Sequence, residues 1–247
     1  MKALLLAAGR GTRMGALTEA LPKPMVAARP PGAAPDAPLR PILETILSGL
    51  RDEAGITEVC IIVGWQAHII RDHFGDGSAH GLKITYLVQE VQDGTGKAPE
   101  LAREWIGDAP FFLSYGDILV PARDYRTLVD GFNEEPVGGV IGLIDGQDLT
   151  KGGAIVLDAG RRVIEIVEKA APDAIPANAY YNSGLYILTP GIFTHTATLR
   201  KSPRGEYELT DALRGLAAGG KLKGVFLSEK WVDVRDPGVL AQLNGTS

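Results

Sequence analysis

The stretch Lys2–Arg13, KALLLAAGRGTR, decides the fold. Ala3–Ala8 is an apolar run of strand length that breaks at once into glycine and arginine. A strand emptying into Gly9-Arg10-Gly11-Thr12-Arg13 is a phosphate-cradle signal, because residues without Cβ let backbone N–H groups approach an anion. Taken alone, the turn reads equally well as a generic tight turn. The dinucleotide form of the cradle wants a third glycine, where Met14 stands. It also wants an acidic residue about twenty residues further on, at the end of a second strand. That distance falls in a proline-rich segment, so a nicotinamide-binding oxidoreductase fits poorly. Beyond the turn, Lys23 stands between Pro22 and Pro24, which fix the backbone and hold the ammonium in one place.

Outward from this stretch, short apolar runs alternate with helical patterns. Leu43, Ile46, Leu47 and Leu50 recur at helical spacing. Val59–Val63 reads as a second strand with a helix over about Gln66–Phe74 behind it. Leu82–Val88 reads as a third, followed by a helix over about Lys97–Trp105. Phe111–Tyr115 is a fourth strand, then come a helix near Tyr125–Phe132 and a fifth strand at Val137–Leu143. Strand alternating with helix predicts an α/β chain with a mainly parallel mixed sheet, Rossmann-like, three-layered and doubly wound. The second half differs. Gly153–Leu157 and Arg162–Val167 flank Asp158-Ala159-Gly160, a hairpin signal. Tyr180–Leu188 is another strand, and Glu206–Leu216 and Pro237–Leu243 are helical. These later strands are expected to extend the sheet or form a small β-rich lobe. Ala28–Pro41, with prolines at 30, 31, 35, 38 and 41, is expected to be an extended exposed loop.

Composition excludes several classes. The net charge of −5 argues against a nucleic-acid binder working through a broad basic face. The single cysteine, Cys60, excludes an internal disulfide and a Cys-rich zinc site, and its apolar surroundings predict a buried thiol. His68, His73, His80 and His195 show no metal spacing. No apolar stretch is long enough to span a bilayer, and the short start MKALLLAAGRG is not a signal peptide. A cytoplasmic protein without a membrane partner is expected.

Gly9-x-Gly11-Thr12-Arg13…Pro22-Lys23-Pro24 resembles the signature of the sugar-1-phosphate nucleotidylyltransferases, the sugar-nucleotide pyrophosphorylases. The similarity runs on in order through VGWQAHIIRDHFGDGSAHGLKITYLVQ (Val63–Gln89), the Gly94-Thr95-Gly96 turn, FFLSYGDIL (Phe111–Leu119), KGGAIVLDAGRRVIEIVEKA (Lys151–Ala170), YYNSGLYIL (Tyr180–Leu188), GEYELTDAL (Gly205–Leu213) and Trp231-Val232-Asp233. The Gly-Thr-Gly turn is most like the glucosamine-1-phosphate uridylyltransferase branch, and glucose-1-phosphate thymidylyl- and uridylyltransferases are similar too. Between Gly116-Asp117 and Gly153 the sequence carries no specificity signature of the family, and it departs from the family around Ala28–Pro41 as well. The Pro/Ala-rich loop is longer than the family's usual link, and Arg40-Pro41 replaces its Lys-Pro.

The resemblance implies one nucleotidyltransferase domain over 1–247, with a nucleotide half over about 1–135 and a sugar half over about 136–247. The hexapeptide β-helix domain that some members of the family carry is not expected, since the sequence runs to Ser247. Ala8, Gly9, Gly11, Thr12 and Arg13 would meet the nucleotide. Gln89, with Gly94 and Thr95, would read the base. On chemistry alone, the donor and acceptor of Gln89 suit a pyrimidine edge, while Thr95 serves equally as a plain N-cap. Gly153, Glu168, Lys169, Asn182 and Gly184 would line the sugar phosphate, with Lys169 on its phosphate. Asp117 closes a strand where α/β ligands bind, and Asp233 is a carboxylate on a strand that needs a cationic partner. The resemblance makes these two the Mg²⁺ ligands and makes Arg13, Lys23, Asp117, Lys169 and Asp233 the catalytic set. Glu206 and Glu208 are read as first-turn acids of a helix.

The implied reaction joins an NTP, UTP or dTTP before CTP or GTP, to a sugar 1-phosphate and releases pyrophosphate. A nucleotide- or sugar-phosphate-sensing module without turnover is the other reading. A homo-oligomer is left open.

Overall fold

A computed structural model describes residues 1–168 and 171–246. In chain order the first elements are β1 (Lys2–Ala7), β2 (Ala27–Ala28), β3 (Arg40–Pro41), α1 (Ile42–Asp52), β4 (Glu58–Val63), α2 (Ala67–Phe74) and β5 (Lys83–Val88). Then follow α3 (Ala98–Leu101), α4 (Arg103–Ile106), β6 (Phe111–Tyr115), β7 (Ile118–Leu119), α5 (Arg123–Asn133) and β8 (Gly139–Ile144). The last are β9 (Gly153–Leu157), β10 (Val163–Glu168), β11 (Ala179–Leu188), α6 (Ile192–Thr196), α7 (Leu209–Ala218), β12 (Leu222–Phe226), β13 (Val232–Asp233) and α8 (Pro237–Asn244). They form two compact units: Met1–Gln92 with Ser114–Arg126 and Lys230–Ser247, and Asp93–Leu113 with Thr127–Glu229.

In the first unit β4 lies between β1 and β5, and both pairings are parallel, running from Ala3↔Val59 to Ala7↔Val63 and from Glu58↔Lys83 to Val63↔Val88. Every residue of Val59–Val63 is fully buried. An unbroken buried run means both faces of the strand are covered, which is why it reads as continuous apolar rather than alternating sequence. Helix α1 buries Ile42, Leu43, Ile46, Leu47 and Leu50, the stripe that the helical spacing predicts. Gly49 lies on the same helix, where a Cβ would stand only 2.3 Å from the Tyr125 ring. Cys60 is buried, and desolvation pushes its thiol up to about 12.

The proline-rich segment is a mostly exposed excursion between two paired ends, Ala27↔Pro41 and Ala28↔Arg40. Its base is tied down at Arg29, whose backbone N–H donates to Asn244 Oδ1 at 2.9 Å and whose guanidinium donates to Asn244 O at 2.6 Å.

In the second unit β11 pairs antiparallel with both β8 and β9, β9 pairs antiparallel with β10, and β12 adds in parallel to β8. The hairpin predicted around Asp158-Ala159-Gly160 is β9–β10. Two expectations need correction. The helix expected over Lys97–Trp105 is two short helices broken at Ala102 (φ −96°, ψ 2°). The helix expected from Glu206 starts at Leu209, because Glu208 is extended (φ −93°, ψ 129°) and the backbone of Tyr207 is engaged elsewhere. Strand β12 and helix α6 have no counterpart in the sequence reading.

Among the described residues no helix is long and apolar enough to cross a membrane.

Candidate functional site

The first unit gathers the Gly-Arg-Gly turn, Lys23, Asp117 and Asp233. After β1, Gly11 adopts φ 63°, and its carbonyl accepts from Met14 N at 2.8 Å and from Thr18 Oγ1 at 2.9 Å. A Cβ on Gly11 would stand 3.0 Å from Lys23 Cβ, in a backbone region that side chains disfavour. Glycine is therefore required twice over, and the turn packs directly on the proline-bracketed lysine. Ala8 is buried, whereas Gly9, Thr12 and Arg13 are exposed.

Lys23 opens a single 3₁₀ turn with Pro24 inside it and is itself buried, at 6% exposure. Its ammonium lies 2.5 Å from Asp117 Oδ2 and 3.9 Å from Asp233 Oδ1. The carboxylates meet because β7 and β13 pair antiparallel with Asp233 opposite Ile118, the residue after Asp117. Val234 N also donates to Asp117 O at 3.1 Å. Burial, then the negative charge of Asp117, push Asp233 up to about 6. The charges of Lys23, Arg13 and Arg235 oppose that rise.

Two oxygen donors of like charge, one buried enough to hold its proton to near neutrality, form a site that favours a hard cation. Among the described residues no group of three or more His, Cys, Asp and Glu side chains converges as a metal site. A cation held by Asp117 and Asp233 would therefore draw its remaining ligands from water or phosphate oxygen. The residues present fit Mg²⁺ on those terms.

The sequence reading missed Trp65 as a neighbour of this turn. Its backbone N–H donates to Ala8 O at 3.2 Å, its indole N–H donates to Thr18 O at 3.3 Å, and the Arg10 guanidinium lies 5.0 Å from its ring. The available signal was topological, since Trp65 follows β4, the strand that pairs with β1. Gln89 also belongs to this unit. It follows β5, half-buried, with its N–H on Val63 O at 2.9 Å.

The second unit brings together Gly153, Glu168, Asn182 and Gly184. Gly153 is the ladder partner of Glu168. A Cβ on Gly153 would stand 3.2 Å from the Glu168 carboxylate and 3.3 Å from Asn182 Cβ. Gly184 (φ 80°) lies in the register shift of β11 between Asn182 and Tyr186. There Asn182 Oδ1 accepts from Gly184 N at 3.1 Å and from the Tyr186 hydroxyl at 2.9 Å. The carboxamide oxygen is thus engaged within its own strand, and the Nδ2 amide would stand 3.4 Å from a Cβ on Gly153. Lys169 lies outside the described residues.

Gly94 and Thr95 also lie in the second unit. Gly94 (φ 114°) passes so close to Tyr207 that a Cβ would stand 2.3 Å from Tyr207 O. Around it Tyr207 N donates to Asp93 O at 2.7 Å and Gly96 N donates to Tyr207 O at 2.8 Å. Thr95 does not cap the helix that follows it. Its hydroxyl accepts from Leu209 N at 3.3 Å, at the start of α7. The segment read as mere first-turn acids therefore holds the Gly-Thr-Gly turn in place. Tyr207 is itself flanked by the Lys97 and Lys201 ammonium groups at 5.4 and 5.5 Å from its ring.

Comparison with known proteins shows the family and the fold. The family model described as nucleotidyl transferase matches residues 2–244. The bifunctional protein GlmU of Methanococcus maripaludis is 35% identical over 239 residues, which cover 96% of this chain and 52% of that protein. The chain thus spans about half the length of the GlmU proteins it matches. The UTP–glucose-1-phosphate uridylyltransferase AglF of Haloferax volcanii is 30% identical, over 94% of this chain and 89% of its own length. A crystal structure described as a glucose-1-phosphate thymidylyltransferase from Bacillus anthracis, in complex with a sucrose, superposes with a TM-score of 0.85 at 26% identity, covering 99% of this chain and 94% of that one. A UDP-glucose pyrophosphorylase complexed with UDP-glucose has the same fold, with a TM-score of 0.84 at 22% identity over 99% of this chain and 97% of that one. Its Rossmann-like architecture, a mainly parallel mixed sheet with flanking helices, is theirs, and the chain belongs to the nucleotidyl transferase family.

Proposed function

We propose that the chain joins a nucleoside triphosphate to a sugar 1-phosphate and releases pyrophosphate, with UTP or dTTP as the nucleotide. The observation that carries the reading is the Asp117–Asp233 pair beside Lys23 and the Gly-Arg-Gly turn. An oxygen of the sugar phosphate would attack the α-phosphorus in line, and the bond to the bridging oxygen would break as pyrophosphate leaves. A phosphate is already ionised at neutral pH, so no general base is needed.

The protein's part is positioning and charge neutralisation. Backbone N–H groups of the Gly9–Thr12 turn would meet the triphosphate, and Arg13, exposed at the turn's end, would stabilise the leaving pyrophosphate. Lys23 would serve the α-phosphate. Asp117 and Asp233 would hold Mg²⁺, which when bound neutralises charge between the two phosphates. Gln89, with Gly94 and Thr95, would read the base. Glu168 and Asn182 would take sugar hydroxyls beside Gly153 and Gly184, and Lys169 the sugar phosphate. This assigns the phosphates of the nucleotide to residues of the first unit and the sugar 1-phosphate to residues of the second.

The test is pyrophosphate release in a matrix of four NTPs against a panel of sugar 1-phosphates. Release with one pairing identifies the substrates. Binding of nucleotide with no release from any pairing would replace this reading with the sensing module.

A further inference from the structure

We propose that Lys23 is a placeholder for the divalent cation: in the ligand-free protein its ammonium occupies the space between Asp117 and Asp233, keeps the metal out, and leaves only when nucleotide phosphates draw it away. The proposal rests on the reading above, in which those carboxylates are the metal's ligands.

Three observations support it. First, the ammonium is within ion-pair distance of both carboxylates, at 2.5 Å and 3.9 Å, and its side chain is only 8% exposed. It therefore stands where a cation shared by the two aspartates would stand. Second, its backbone cannot move away. Pro22 and Pro24 flank it, Val26 N closes the 3₁₀ turn on Lys23 O at 3.0 Å, and Gly11 packs against its Cβ. Only the flexible end of the side chain is free to change partner. Third, the charges make the exchange conditional. Two carboxylates and one ammonium leave a single negative charge. Replacing the ammonium with a dication cancels it, but strands the buried ammonium without an anion, which is costly. Phosphates arriving at the adjacent Gly-Arg-Gly turn would supply that anion. Metal alone is then a poor competitor, and metal together with nucleotide a good one.

The experiment titrates Mn²⁺ alone, with no nucleotide, into the full chain and follows free Mn²⁺ by electron paramagnetic resonance. Lys23→Met is expected to bind Mn²⁺ at least ten-fold more tightly than wild type. Mg²⁺ alone is expected to raise its melting temperature more than it raises that of wild type. Should Lys23→Met fail to fold, Lys23→Gln carries the test, being neutral yet still able to donate to Asp117. Equal or weaker Mn²⁺ binding in the folded variant overturns the placeholder. Pyrophosphate release by wild type is measured on the same preparation. Turnover together with unchanged Mn²⁺ affinity in the variant overturns the placeholder and leaves the proposed reaction standing. No turnover with any NTP and sugar 1-phosphate overturns the proposed reaction, and the placeholder then stands or falls on the Mn²⁺ titration alone.

Discussion

Lys23 and Asp117 are 94 residues apart in the chain, and their side chains meet at 2.5 Å. Each carries a charge that the mostly buried surroundings would penalise without the other. The pair joins the turn after β1 to the end of β6, so its integrity reports on both.

Asp117→Asn keeps the shape of the side chain and removes its charge. Turnover, read as pyrophosphate release, is expected to fall by roughly 10²–10³, the size of effect seen when one transition-state-stabilising group is lost. Turnover near the wild-type rate would remove Asp117 from the reaction.

Asp233 gives a pH dependence with a defined sign. Burial, then the negative charge of Asp117, push its carboxyl up to about 6 in the folded chain against an ordinary 3.8. Between those values the folded state keeps a proton that the unfolded state releases, so this group's contribution to stability falls as pH rises from about 4 to about 6 and is flat above. In metal-free buffer, Asp233→Asn is expected to melt higher than wild type at pH 7–8, with the difference closing toward pH 4. A difference independent of pH would refute the assignment.

Gly94→Ala adds a Cβ 2.3 Å from Tyr207 O and forces alanine to φ 114°. Backbone strain alone is worth about 1–3 kcal/mol, and the clash adds to it. A lower urea midpoint is expected, together with a raised KM for nucleotide as the Gly-Thr-Gly turn shifts. A variant with unchanged midpoint and KM would show that the turn is not held as described.

Asn182→Ala removes the amide beside Gly153 and Glu168. The KM for sugar 1-phosphate is expected to rise while that for nucleotide is unchanged, the mark of lost uniform binding to one substrate. Equal effects on both substrates would move Asn182 out of the sugar site.

Cys60 is fully buried, and desolvation pushes its thiol up to about 12. Burial thus keeps the thiol protonated at pH 8, and the thiolate is the reactive form. Labelling by a thiol reagent is expected only in denaturant, following the unfolding curve. Prompt labelling of the native chain would contradict the burial of β4.

The parallel core was legible in the sequence because Ala3–Ala8 and Val59–Val63 are apolar without interruption and glycine and helical patterns punctuate them. Strand β12 was not. Lys223 and Gly224 stand in its middle and read as loop, and only the fold supplies Glu134 and Glu135, at 2.7 and 3.0 Å, that let Lys223 be buried. The late start of α7 was hidden for a similar reason, since Tyr207 spends its backbone on Asp93 and Gly96, more than a hundred residues back. In the site, the family resemblance brought out Asp117 and Asp233 as candidates. That they share one lysine depends on a two-residue ladder, β7 with β13, too short to leave a pattern.

The paired ends of the proline-rich excursion have a consequence for how the chain tolerates change. Residues 30–39 leave and return through the neck formed by Ala27, Ala28, Arg40 and Pro41, with Arg29 tied to Asn244. Lengthening such a loop adds little closure entropy, about 0.6 kcal/mol per doubling. The neck, not the loop, sets the distance from Lys23 to α1. Segments grafted there, whether a tag, a reporter or a second domain, would hang from the first unit without altering the spacing that the lysine depends on.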